Sequence, residues 1–214
     1  MHSAAQASHF NGPAGRLEVL LDTPVLPSEG KVRGVAFVAH PHPLFGGTMQ
    51  NKVAQTLARA HAQAGWRVVR FNFRGVGVSE GEYDHGHGEL QDLLAAVAHF
   101  APQGPIALAG FSFGAFVASH AAAALLASRA ITSVVLVGTA AGNFDVAQIP
   151  AQLHPNTLVL HGEVDDTIAL SAVLDWARPQ NLPVMVMPGI GHFFHGQLVL
   201  LRALVQRHLL ICNS

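Results

Sequence analysis

Gly110-Phe111-Ser112-Phe113-Gly114 is the stretch on which the reading of this chain turns. It fits G-x-S-x-G, the turn that carries a serine at the tip of a strand just where a helix begins. Such a turn forces the serine into a sparsely populated backbone region and crowds its neighbours, and glycines on both sides relieve the clash. In a chain with 21 glycines the string by itself is a weak match, so its surroundings carry the weight. Upstream, Ile106–Gly110 is an apolar run of strand length. Downstream, Phe113–Ser128 reads as a helix whose first turn is kept slim by Ala115 and Ala118. The competing reading is a glycine-rich contact between helix and sheet around a buried serine.

The same alternation continues on either side. Runs rich in Val, Ile, Leu and Phe mark strands at Arg16–Leu21, Gly34–Ala39, Arg67–Phe73, Ser133–Val137, Thr157–His161 and Val184–Met187. Helical patterns fall between them at Asn51–Ala64, Glu89–Phe100 and Ile168–Ala177, and Phe194–Leu210 closes the chain. This predicts an α/β fold: a mostly parallel central sheet of about seven strands with helices on both faces. Pro24, Pro27 and Gly30 mark a turn, and Tyr83–Gly88 a loop before a helix. No long linker or repeat divides the chain, so one domain is expected over 1–214, with 1–15 as a flexible segment. The connection from Val137 to Thr157 is too short for a helical lid, and an open site is expected.

A serine hydroxyl is a weak nucleophile until a base takes its proton, and the oxyanion formed on attack needs N–H groups aimed at it. In folds built on this turn the acid and then the base follow in chain order, at the ends of later strands. Thr157–His161 runs into Gly162-Glu-Val-Asp165-Asp166, and Val184–Met187 into Pro188-Gly-Ile-Gly-His192. Asp165 is preferred over Asp166 because Gly162-x-x-Asp165-x-x-Ile168 resembles the spacing familiar after this strand in folds built on this turn. His192 is preferred over His195 because it sits in a glycine-flanked loop, whereas His195 is expected within the closing helix. The start of the Phe113 helix offers the N–H of Phe113 to the oxyanion, with the helix dipole behind it. The loop His40-Pro-His-Pro-Leu-Phe-Gly-Gly-Thr48 should supply a second donor. Pro41 and Pro43 have no N–H, which leaves His42 or Leu44. Resemblance to the usual His-Gly-x loop of such folds, counted two residues on from His40, selects His42.

The 14 histidines invite a metal reading at His40, His42, His85 and His87, but no Cys or carboxylate cluster completes a ligand set. Neither metal nor cofactor is expected. With 12% charged residues and a formal net charge of −1, the chain has no basic face for nucleic acid or anionic lipid. A small, roughly neutral molecule is the expected partner, and an exposed edge strand leaves a homodimer open. The single cysteine, Cys212, allows no internal disulfide, and the first ten residues show no secretory pattern, so a cytoplasmic protein is expected. The apolar run Pro105–Ala127 is no membrane span: its helical part reaches only ~24 Å against the ~30 Å of a bilayer core.

Two further segments carry a resemblance: His40-Pro-His-Pro-Leu-Phe-Gly-Gly-Thr-Met49 with Asn51-Lys52, and Phe71-Asn-Phe-Arg-Gly-Val-Gly-Val-Ser-Glu-Gly81 with Tyr83-Asp84. From about Arg33 to Leu209 the chain resembles the short, lidless α/β-hydrolases near the dienelactone hydrolases, a group described as predicted hydrolases or carboxylesterases. The resemblance implies the eight-stranded hydrolase sheet, or a version shortened at its N-terminal edge, and hydrolysis of small esters or thioesters through an acyl-enzyme. Dienelactone hydrolase itself uses a cysteine where this chain has Ser112. Asn72 and Arg74 are read as braces of their loop. The rival readings are a cofactor-free peroxidase or lyase using the same residues, and a catalytically silent ligand-binding protein.

Overall fold

The computed structural model describes residues 5–26 and 30–212. Pro27, one of the turn markers, lies outside the described residues. Eight strands form one sheet in the order β1-β2-β4-β3-β5-β6-β7-β8. They are β1 (Ala5–Gly12), β2 (Gly15–Asp22), β3 (Val35–Ala39), β4 (Arg67–Phe71), β5 (Ile106–Phe111), β6 (Ile131–Val137), β7 (Thr157–Gly162) and β8 (Val184–Met187). From β4 to β8 every pairing is parallel, while β2 runs antiparallel to both β1 and β4. The central strands β3 and β5 are buried along their whole length, as continuous apolar runs between two helical layers should be.

Helices α1 (Lys52–Gln63) and α5 (Leu198–Ile211) cover one face, packing Val53, Leu57, Leu201 and Val205 against Ala36, Val38, Ala107 and Ala109. Helices α2 (His87–Phe100), α3 (Phe113–Leu125) and α4 (Leu170–Ala177) cover the other, where Leu93, Val117 and Val173 meet Phe37, Leu108 and Leu136. The helix after β3 and the helix after β5 thus lie on opposite faces, the topological switch at which open α/β sheets form their ligand crevice, between the carboxyl ends of neighbouring strands. Between β6 and β7 the only helical piece is a short 3-10 turn over Ala151–Asn156, so no lid covers that crevice. Among the described residues, no helix is long and apolar enough to cross a membrane.

Two expectations are corrected here. The segment 1–15 is not flexible from residue 5 onward: Ala5–Gly12 is an eighth strand, in register with all of β2. Its mostly polar sequence hides it, because it is an edge strand held by a hairpin and by Phe10, which packs on His99 and Phe100 of α2. His195 does not lie in the closing helix. Phe194 and Gly196 both have positive φ (53° and 74°), which no α-helix accommodates, so α5 begins only at Leu198.

Candidate active site

Ser112 follows β5 and precedes α3 with φ 56° and ψ −118°, a strained backbone state for a residue with a side chain. The two glycines are needed for different contacts. A Cβ on Gly110 would collide with the carbonyl of Gly114, and a Cβ on Gly114 would collide with the carbonyls of Ala39 and His40. The turn therefore closes on itself while seating the start of α3 against the end of β3. Ser112 remains 8% exposed at the crevice.

Three of the predicted side chains meet there. The Ser112 hydroxyl lies 3.0 Å from His192 Nε2, and His192 Nδ1 lies 2.6 Å from Asp165 Oδ2. A neutral imidazole facing a carboxylate donates from Nδ1, which leaves the Nε2 lone pair for the serine proton. Asp165 is held by its own loop, its Oδ1 accepting the N–H groups of Thr167 and Ile168 at 2.9 and 2.7 Å. Burial pushes its carboxyl up, but the His192 and backbone hydrogen bonds outweigh this and hold it below the usual carboxylate range. Asp166, by contrast, points outward toward the Thr167 hydroxyl. His195 is exposed and stacks near Phe193 rather than facing Ser112.

Three supports of this line carried no signal singled out in the sequence. Gly138, at the end of β6, has φ 54°, and a Cβ there would stand 3.1 Å from His192 Cε1 and 3.1 Å from the Phe111 ring. Phe111 forms the other wall, its ring centroid 4.8 Å from that of His192. His161, buried at the end of β7, donates from Nε2 to the Ile168 carbonyl at 2.9 Å and lies 3.6 Å from Asp165 Oδ2. Burial lowers its pKa, so it braces the acid loop as a neutral ring. A histidine ending an otherwise apolar strand, four residues before the acid, was the available clue.

The loop after β3 faces α3 across the crevice. His40 is fully buried, and burial pushes its pKa down to about 4, so the ring is neutral. Its Nδ1 donates to the Pro41 carbonyl at 2.6 Å and its Nε2 accepts the Phe73 N–H at 3.1 Å. Fixing the Pro41 carbonyl also fixes the N–H of the same trans peptide, which belongs to His42. The N–H of Leu44 is already donated to His42 Nδ1 at 3.2 Å, while no hydrogen bond among the described residues engages the His42 N–H. The N–H of Phe113, at the first position of α3, has no partner within its helix.

Asn72 and Arg74 lie behind this wall. Asn72 accepts the Met49 N–H and donates to Glu18, while Arg74 grips Asp92 of α2 through two guanidinium nitrogens at 3.0 and 2.7 Å. Both nitrogens of His40 are occupied by the bonds above, and those of His42 by the Leu44 N–H and the Tyr83 hydroxyl. Among the described residues no group of three or more His, Cys, Asp or Glu side chains is arranged to hold a metal ion.

Comparison with known proteins agrees with this architecture. The family model for the alpha/beta hydrolase fold matches residues 42–158. A Xanthomonas campestris structure described as an α/β serine hydrolase without lid superposes with a TM-score of 0.85 and 38% identity, covering 97% of this chain and 94% of that one. An α/β serine hydrolase homologue from Coxiella burnetii gives 0.78 and 37%, covering 94% and 96%. An uncharacterized protein of Rickettsia prowazekii is 41% identical over 114 residues, a match that spans 51% of this chain and 46% of that relative's length. With the eight-stranded sheet, the serine turn at the end of β5 and the uncovered crevice, the chain belongs to the α/β-hydrolase fold family and is a short, lidless member of it.

Proposed function

We propose that this protein is a serine hydrolase that cleaves small carboxylic esters or thioesters through an acyl-enzyme, with Ser112 as nucleophile, His192 as base and Asp165 as the residue that orients the base. His192 takes the Ser112 proton as Oγ attacks the substrate carbonyl, and the negative charge moves to the carbonyl oxygen. The N–H groups of Phe113 and His42 receive that oxyanion. His192 then hands the proton to the departing alcohol or thiol, and by the same route activates water to release the acid. Asp165 keeps Nδ1 protonated and stabilises the imidazolium that forms in between.

The observation that carries the reading is the continuous line from Asp165 Oδ2 through both ring nitrogens of His192 to Ser112 Oγ, 2.6 and 3.0 Å, ending on a strained serine. The occupied Leu44 N–H favours His42 as the second donor. Without a lid there is little apolar wall to cover a long tail, so short acyl chains should be turned over faster than long ones.

A fluorophosphonate probe tests the reading directly. Labelling is expected at Ser112, lost in Ser112→Ala, and accompanied by hydrolysis of short p-nitrophenyl esters or thioesters. A folded protein that is neither labelled nor active across that panel would favour the silent ligand-binding alternative.

A further inference from the structure

His42 has four polar groups, and three are spoken for. Its carbonyl accepts the N–H groups of Phe45 and Gly47 at 3.2 and 3.0 Å, and its Nδ1 accepts the Leu44 N–H at 3.2 Å. Its Nε2 lies 3.2 Å from the Tyr83 hydroxyl. Because Nδ1 is an acceptor, the single proton of the neutral ring sits on Nε2 and is donated to Tyr83 Oη. Burial lowers the pKa of His42, opposed by the charge of Glu89 and assisted by His85, so the neutral form prevails near pH 7.

Tyr83 is itself held. Its ring packs at a tilt against His42, His85 and Phe113, with centroids 5.0, 4.9 and 5.9 Å apart. The loop that carries it is pinned by the buried Glu89 of α2, whose two carboxylate oxygens accept the N–H groups of Asp84 and Gly86 at 2.9 and 2.7 Å. A chain of fixed contacts therefore runs from the start of α2 through Tyr83 to the ring of His42.

We propose that Tyr83 is a positioning residue of the hydrolytic site: by holding the His42 ring in the Nε2–H tautomer, with Nδ1 turned to Leu44, it fixes the loop that aims the His42 N–H at the oxyanion. This rests on the hydrolase reading above. The fully buried His40 holds the Pro41–His42 peptide through the Pro41 carbonyl, and Tyr83 holds the ring of the same His42. The transition state needs that N–H more than the ground state does, so loosening it should act on kcat and not on KM.

Tyr83→Phe removes only the hydroxyl and keeps the packed ring. We expect kcat to fall about ten-fold, less than the ~10²–10³ for deleting an oxyanion donor outright, with KM changed less than about two-fold. His42→Phe should lose at least as much, and Tyr83→Phe added to it should cost less than about two-fold more, since the hydroxyl then has no ring nitrogen to hold. His42→Asn should retain more activity than His42→Phe, because an Asn carboxamide can accept the Leu44 N–H two residues on. Ring ¹⁵N spectra should show His42 as the Nε2–H tautomer in the wild type and a mixture in Tyr83→Phe. An unchanged kcat, additive losses, an effect confined to KM, or a wild-type Nδ1–H tautomer overturns the positioning role. Failure of the wild type to label at Ser112 would instead sink the hydrolase reading and the kinetic role with it.

Discussion

Two adjacent carboxylates differ in this structure in burial and in partners. Asp165 is buried, bonded to His192 and to two backbone N–H groups, whereas Asp166 is exposed. Asp165→Asn keeps the shape but presents an amide that no longer demands the Nδ1–H tautomer, so kcat should fall by roughly 10³-fold or more. Asp166→Asn should stay within about two-fold of wild type, as expected for a solvated surface charge. Steady-state kinetics of the two variants on one short ester gives the ranking, and the reverse order would move the acid to Asp166.

At the scale of elements, the site depends on what the strands' ends bring together. Ser112, Asp165 and His192 follow β5, β7 and β8; the glycines at 110 and 114 mark places where backbone approaches too closely for a side chain, and Gly138 takes a left-handed φ of 54° with the His192 and Phe111 rings close by. The N-terminal strand contributes differently. Phe10 is 4% exposed and joins β1 to α2 through an edge-on contact with Phe100, ring centroids 5.4 Å apart. Phe10→Ala should lower stability by about 3 kcal/mol, read from urea unfolding, since a buried aromatic is lost from a filled contact. A change below about 0.5 kcal/mol would mean that β1 is held by its hairpin alone.

For the whole molecule, the buried histidines set an acid limit. Burial pushes His40 and His61 from the ordinary 6.5 down to about 4, and lowers His161 and His208 as well. The unfolded chain therefore binds protons that the folded chain refuses between pH 6.5 and 4. Stability falls as pH drops through that window, by about 3 kcal/mol for each of His40 and His61 at its lower end. The depressed Asp165 carboxyl adds a loss in the same direction at lower pH. Urea midpoints measured across pH 7 to 4 should decline steeply, and His61→Gln should flatten the slope. A flat profile in the wild type would show that these rings titrate normally in the folded protein.

Much of this was legible along the chain, because strand runs, helix periodicity and turn chemistry are local. The turn Gly110-x-Ser112-x-Gly114 announced itself, as did seven of the strands, the five helices and the glycine-flanked position of His192. What the residues could not say by themselves concerned directions through space. β1 is hidden because an edge strand needs no apolar run, and helical periodicity does not show that positive φ at Phe194 and Gly196 delays α5 past His195. That the His42 N–H has no partner among the described residues, that the His192 and Phe111 rings crowd Gly138, that His161 braces the Asp165 loop and that Tyr83 bonds the His42 ring emerge only when distant segments are packed. Local sequence determined the elements and their order. Only the tertiary structure decided which polar groups would find partners, since hydrogen bonds between loops depend on distances that no single stretch of the chain encodes.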